Sequence, residues 1–158
     1  MTKTAIGKPV PDFELPATGG KTVKFSGFKG HNLVLYFYPK DNTTGCSLEA
    51  QDFRDHQGKF KKLNTVITGV SRDSLKSHEN FREKFDLKFD LLSDEQEKLC
   101  KLFDVMKEKN MYGRKVYGIE RSTFLIDAGG VLRREWRKVS VKGHVDEVLD
   151  AVKTLGRK

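Results

Sequence analysis

The chain has 158 residues, 37% hydrophobic and 33% charged, with a formal net charge of +8. That length fits a single domain over 1–158 and excludes two full-sized ones, and 11 Phe with no low-complexity tract exclude a disordered chain. No run approaches the roughly 20 apolar residues of a membrane helix, and MTKTAIGKPVPDF has no signal-peptide core, so a cytoplasmic protein with no membrane association is expected.

After a loop rich in Pro and Gly, Asp12 to Leu15 and Thr22 to Phe25 read as strands of an N-terminal β-hairpin turned over Pro16 to Lys21. Leu33 to Tyr38 is a continuous apolar run with β-branched and aromatic members, the pattern of a strand buried on both faces, and Pro39 stops it. From Thr44 the spacing of Phe53, His56, Phe60 and Leu63 predicts an amphipathic helix, with Cys46 in its first turn. Thr65 to Ser71 is the next strand, and Leu75, His78, Phe81 and Phe85 predict a second helix. A short Phe89 to Leu92 segment follows, and Ser93 with Gln96 has the spacing of a capping box opening a brief helix that carries Leu99, Cys100, Leu102 and Phe103. Asp104 to Gly118 shows no clean period and reads as a long loop. Ser122 to Asp127 and Val131 to Trp136 form a strand pair turned at Ala128-Gly129-Gly130, and Val145, Val148, Leu149, Val152 and Leu155 mark a last helix. Strands alternating with helices, then a hairpin and a terminal helix, describe an α/β fold with a mixed central sheet flanked by helices.

The excess of positive charge concentrates between Lys107 and Lys142, where ten basic residues face four acidic ones. No nucleic-acid-binding signature accompanies it, so a solvated basic face is expected rather than specific DNA or RNA recognition. The Arg133, Arg134, Arg137 and Lys138 cluster beside Trp136 reads as an edge strand protected by charge. His31, His56, His78 and His144 have no metal-ligand spacing; each is expected at the surface or at a cap, and neither a metal nor a cofactor is expected. Two widely separated cysteines form neither a disulfide framework nor a metal knuckle, which fits a reducing compartment.

The chemistry concentrates at Cys46. Where a buried strand ends and a helix begins, unpaired backbone N–H groups and the positive end of the helix dipole face the first turn, and such positions pull a thiol below its free pKa of about 8.5. Thr43 supplies a hydroxyl within one turn, and Pro39 a rigid apolar wall with no N–H. Pro39, Thr43 and Cys46 resemble the PxxxTxxC motif of the peroxiredoxins. The wider segments FYPKDNTTGCSLEA, VSRDSLKSHENF and GIERSTFLID resemble the peroxiredoxin Q subfamily, also called bacterioferritin comigratory proteins, over essentially the whole chain. That resemblance implies a thioredoxin-like fold and a thiol-specific peroxidase that reduces hydrogen peroxide and organic hydroperoxides, an antioxidant role in redox homeostasis. It assigns Cys46 as the peroxidatic cysteine that becomes a sulfenic acid, with Pro39, Thr43 and Arg121 as its active-site partners and Glu49 and Gly45 in support.

In the subsidiary places where the subfamily carries a resolving cysteine, this chain has Gln51 and Arg82. The remaining thiol, Cys100, sits in an apolar stripe that suits packing. A one-cysteine cycle recycled by thioredoxin, glutaredoxin or glutathione is therefore the first reading, and a Cys46–Cys100 disulfide the second, requiring Cα atoms within about 7 Å. Two other classes stay open: a redox-sensing or holdase-type protein using the same thiol with little turnover, and a basic nucleic-acid-binding module that ignores it. With no large apolar surface stripe, a monomer is expected.

Overall fold

The computed structural model describes residues 3–155. In chain order the elements are β1 (Glu14–Ala17), β2 (Lys21–Lys24), a 3-10 turn (Phe25–Phe28), β3 (Asn32–Phe37), α1 (Thr44–Lys62), β4 (Thr65–Ser71), α2 (Leu75–Lys84), β5 (Asp90–Ser93), α3 (Lys98–Leu102), β6 (Met106–Met111), β7 (Arg114–Ile119), β8 (Ser122–Ile126), β9 (Leu132–Trp136) and α4 (His144–Leu155). Seven strands form one mixed sheet in the order β2-β1-β5-β4-β3-β8-β9. The three central strands β3, β4 and β5 run parallel, and β8 returns antiparallel on β3. With helices on both faces this is the thioredoxin-like α/β fold expected from the sequence.

β3 explains the sheet's position. Its side chains alternate between two separate cores: Val34 and Tyr36, with Tyr38 just beyond the strand, meet Phe53 and Phe60 of α1, Phe81 of α2 and Val145, Val148 and Val152 of α4. Leu33, Leu35 and Phe37 meet Leu99, Cys100 and Leu102 of α3, with Phe103, Met106 and Ile119, on the other face. A strand buried on both faces has no need for polar alternation, which is why it reads as an unbroken apolar run.

Several expectations shift. The N-terminal hairpin forms, but β1 lies later in the chain and includes Pro16, paired with Thr22. β1 meets β5 only at Ala17↔Leu92, so most of its far side is an edge where proline withholds no needed donor. Ser93 is no helix cap: the Ser71↔Ser93 pairing extends β5 through it, and its hydroxyl donates to the Asp73 carbonyl at 2.6 Å. Asp94 takes over, its carboxylate accepting the backbone N–H groups of Leu99 and Cys100 at 3.2 and 2.7 Å, which satisfies orphan donors at the start of α3.

The stretch read as a long loop is a β-hairpin, β6–β7, in register from Met106↔Ile119 to Met111↔Arg114. Its two-residue turn is Tyr112-Gly113, both at positive φ (54° and 79°), the backbone that matches strand twist in a tight hairpin. β9 closes one edge of the sheet, with Arg133 and Arg134 exposed along it and Arg134 over the Trp136 ring at 4.7 Å, as the charge-protected edge predicted.

Candidate active site

α1 begins directly after the loop that leaves β3, and Cys46 is its third residue. Thr43 occupies the N-cap position without bonding a helix N–H; its hydroxyl donates back to the Lys40 carbonyl at 2.9 Å. Ser47 N–H is the first to bond within the helix, to Thr43. The N–H groups of Thr44, Gly45 and Cys46 are thereby left for whatever anion occupies the helix terminus. The Lys40 carbonyl takes the hydroxyl proton of Thr43, and the oxygen keeps its lone pairs for accepting a hydrogen bond in the pocket beside Cys46. Half-buried Pro39 follows Tyr38 at the head of the same loop.

The Phe37↔Ser122 register sets the start of β8 beside the end of β3, and this brings Arg121 to the helix terminus. Its Nη2 donates to Cys46 Sγ at 3.4 Å, and its Nη1 donates to Glu49 Oε1 at 2.6 Å. Gly45 leaves room for that approach: a Cβ there would lie 3.1 Å from Arg121 Nη2. Burial works against the charge on Arg121, but Glu49 and Cys46 together hold its pKa above the ordinary value.

Glu49, one turn beyond Cys46, is fully buried; burial pushes its pKa up to about 7, against the pull of Arg121. Its Oε2 has no hydrogen-bond partner among the described residues, so a proton there breaks no existing bond. Lys109 of β6 borders the same site. Burial and then the charge of Arg121 lower its pKa, while Glu120 and Cys46 oppose the shift, and its Nζ donates to the Ile119 carbonyl at 2.6 Å. The sequence reading missed Lys109 because it missed the hairpin; the Tyr112-Gly113 turn between two six-residue segments was the available signal.

Cys46, Arg121, Glu49 and Gly45 are thus brought together, and Cys100 is not. The two cysteines sit in separate cores on opposite faces of the sheet. Burial first, and then the Asp94 carboxylate, push the Cys100 thiol far up. Cys100 lies in the same core as Leu99, Leu102 and Phe103; the second reading, a direct disulfide to Cys46, would have to cross the sheet.

The histidines depart from expectation. His31 is exposed and His56 half-buried, but His78 and His144 are buried. Burial pushes His144 down to about 4; its Nε2 lies 2.8 Å from the Thr123 hydroxyl, so it is a neutral core histidine. His78 joins Asp41 and Asp73 in a cluster whose ligating atoms lie within 4.8 Å of one another. Sequence spacing hid this cluster because its members come from three separate segments.

A reactive-thiol site at a helix N-terminus, backed by an arginine on a thioredoxin-like sheet, defines the class. Residues 6–135 match the AhpC/TSA family, and the chain belongs to that family. It is 53% identical over 153 residues to peroxiredoxin Bcp of Bacillus subtilis, covering 97% of this chain and 98% of that protein. Its identity to peroxiredoxin Bcp of Xanthomonas campestris is 50% over 155 residues, covering 97% of each. Among solved structures, a cysteine-to-serine mutant of Xylella fastidiosa PrxQ superposes with a TM-score of 0.93 at 42% identity, covering 99% of this chain and 100% of that one. Xanthomonas campestris bacterioferritin comigratory protein, solved in a study of its alkyl peroxide reduction, superposes with a TM-score of 0.87 at 50% identity, covering 90% and 91%.

Proposed function

We propose that the chain is a thiol peroxidase in which Cys46 is the peroxidatic residue and which works as a monomeric single domain with a one-cysteine cycle. The carrying observation is the 3.4 Å contact from Arg121 Nη2 to Cys46 Sγ at a helix terminus with unused N–H groups. The thiolate attacks one oxygen of a hydroperoxide in line with the O–O bond. An S–O bond forms as the O–O bond breaks, and the departing oxygen takes up a proton and leaves as water or an alcohol. Arg121 and the N–H groups of the first helical turn are preorganised donors for the charge that develops on those oxygens, the term that dominates such catalysis. Pro39 walls the pocket, Gly45 admits the guanidinium and Glu49 orients it.

Cys46 is then a sulfenic acid. With Cys100 across the sheet, an external thiol attacks it: a mixed disulfide forms and water leaves, and a second thiol equivalent restores Cys46. Thioredoxin, glutaredoxin and glutathione supply that chemistry. Two unpaired buried cysteines suit the reducing cytoplasm.

Intact mass after one equivalent of hydrogen peroxide, with and without a sulfenic-acid trap, tests this reading. One trapped sulfenic acid, in wild type and in Cys100→Ser alike, is expected. A loss of two mass units in wild type without trapping, abolished in Cys100→Ser, overturns the one-cysteine cycle.

A further inference from the structure

The loop from Pro39 to Thr43 carries the wall and the cap of the Cys46 pocket, yet what fixes it lies outside that pocket. Asp41 is buried. Its Oδ1 accepts the Tyr38 hydroxyl at 2.6 Å, and its Oδ2 accepts the Ser77 hydroxyl at 2.8 Å and lies 2.7 Å from His78 Nδ1. Its backbone N–H donates to Asp73 Oδ2 at 2.8 Å, an oxygen that also accepts the Ser71 hydroxyl at 2.6 Å.

His78, in α2, is fully buried. Its Nε2 lies 2.9 Å from the Leu92 carbonyl, which can only accept, so Nε2 carries a hydrogen. A contact of 2.7 Å between Nδ1 and a carboxylate oxygen then requires one shared proton between them. It is too short to span a metal with ligand bonds of about 2.0 Å to each atom at tetrahedral angles.

A second tie runs from Lys84 Nζ to Asn42 Oδ1 at 2.9 Å, with Asn42 at φ 62°, a turn conformation that asparagine tolerates. Beside these ties, a cavity of about 360 Å³ opens between the loop and α2, lined by Asp41, Asn42, Ser74, Ser77, Phe81 and Lys84. The loop is therefore held to α2 by a few polar bonds next to space into which it can move.

Cys46 is only 1% exposed. A thiol must come to an S–S distance of about 2.05 Å to resolve its sulfenic acid, so the loop and first helical turn have to open between the two halves of the cycle. Resting on the reading of Cys46 above, we propose that Asp41 and His78 are positioning residues that form a latch. Their proton-sharing contact holds the Pro39–Thr43 loop in the arrangement that reduces peroxide, and its breakage releases Cys46 to the external thiol. In the release half-reaction the incoming sulfur bonds to Cys46 Sγ, the S–O bond breaks, and the oxygen takes a proton and leaves as water.

Two rates test the latch: oxidation of Cys46 by hydrogen peroxide, and reduction of the resulting sulfenic acid by dithiothreitol, each followed by rapid quench and mass. In Asp41→Asn and in His78→Gln, whose amide still reaches the Leu92 carbonyl but leaves Asp41, oxidation is expected to slow at least about tenfold while reduction speeds up several-fold. His78→Asn, which restores a donor to Asp41, is expected to recover part of both changes. Ser77→Ala removes one donor to Asp41 and gives the same split, smaller, if the buried substitutions do not fold. Rates that fall together, or an unchanged pair of rates, overturn the latch. Peroxide turnover that survives in Cys46→Ser would instead overturn the reading of Cys46 itself.

Discussion

Cys46 and Cys100 are hidden from solvent to the same degree, 1% and 0% exposed, and both stand in the first turns of helices. Their surroundings are opposite in sign. At Cys46 the helix terminus is left open and a guanidinium donates to the sulfur. At Cys100 the terminus is filled by the Asp94 carboxylate, which takes the Leu99 and Cys100 N–H groups and places its negative charge beside the thiol. Burial alone therefore does not decide which cysteine reacts; what occupies the helix terminus does.

The largest expected effect separates the two thiols outright. Cys46→Ser is expected to reduce peroxide consumption by at least about a thousandfold, as loss of a covalent nucleophile does, whereas Cys100→Ser stays within about twofold of wild type. Steady-state peroxide consumption with a saturating thiol checks both, and comparable losses in the two variants would dissolve the contrast.

Removing the guanidinium makes the Cys46 environment resemble that of Cys100. Arg121→Ala is expected to slow oxidation of Cys46 by about 10² to 10³, the range for losing one preorganised donor, and to slow its alkylation by iodoacetamide at fixed pH. Arg121→Lys recovers only part, since one ammonium cannot serve Glu49 and Cys46 from two separately placed nitrogens. Stopped-flow oxidation of the three proteins decides it.

The sequence discloses one side of this contrast better than the other. The strand-to-helix junction at Cys46 is local, and the apolar run Leu33 to Tyr38 followed by Pro39 announces it within a dozen residues. The Arg121 contact came only through resemblance, because the Phe37↔Ser122 pairing that delivers it joins distant segments. Asp94 was passed over because the Ser93 spacing mimics a capping box, while strand pairing with Ser71 had already claimed Ser93. The buried His78 and the β6–β7 hairpin were lost for related reasons: the first depends on acidic partners from other segments, and the second has charged, half-exposed strands with no periodicity toward a core.

Glu49 sharpens the comparison through pH. Its pKa in the fold, about 7, is raised above the 4.5 of the unfolded chain by burial. The folded state thus holds an extra proton between those values, and its contribution to stability, full below pH 4.5, is lost as pH rises through 7. Relative to Glu49→Gln, wild type is expected to lose on the order of 3 kcal/mol between pH 4 and pH 8. His144 works in the other direction: with its pKa lowered to about 4, its contribution is present above 6.5 and is lost as pH falls through 4. Urea denaturation across pH measures both, and a flat difference between wild type and Glu49→Gln would remove the buried carboxyl from the account of the site.

The smallest effect tests how closely the open helix terminus is fitted. Gly45→Ala would bring a methyl to 3.1 Å from Arg121 Nη2, a few tenths of an ångström inside comfortable contact. The guanidinium is the far end of a flexible side chain and can yield, and alanine is the better helix former, so the two effects offset and stability changes by less than about 0.5 kcal/mol. The contact to Cys46 Sγ, already at 3.4 Å, has no such slack, because a hydrogen bond weakens steeply as it lengthens and bends. Oxidation of Cys46 is therefore expected to slow about three- to tenfold while the urea midpoint barely moves. An alanine variant as fast as wild type would show that Arg121 acts on Cys46 by charge at a distance, with no need for the close approach that glycine allows.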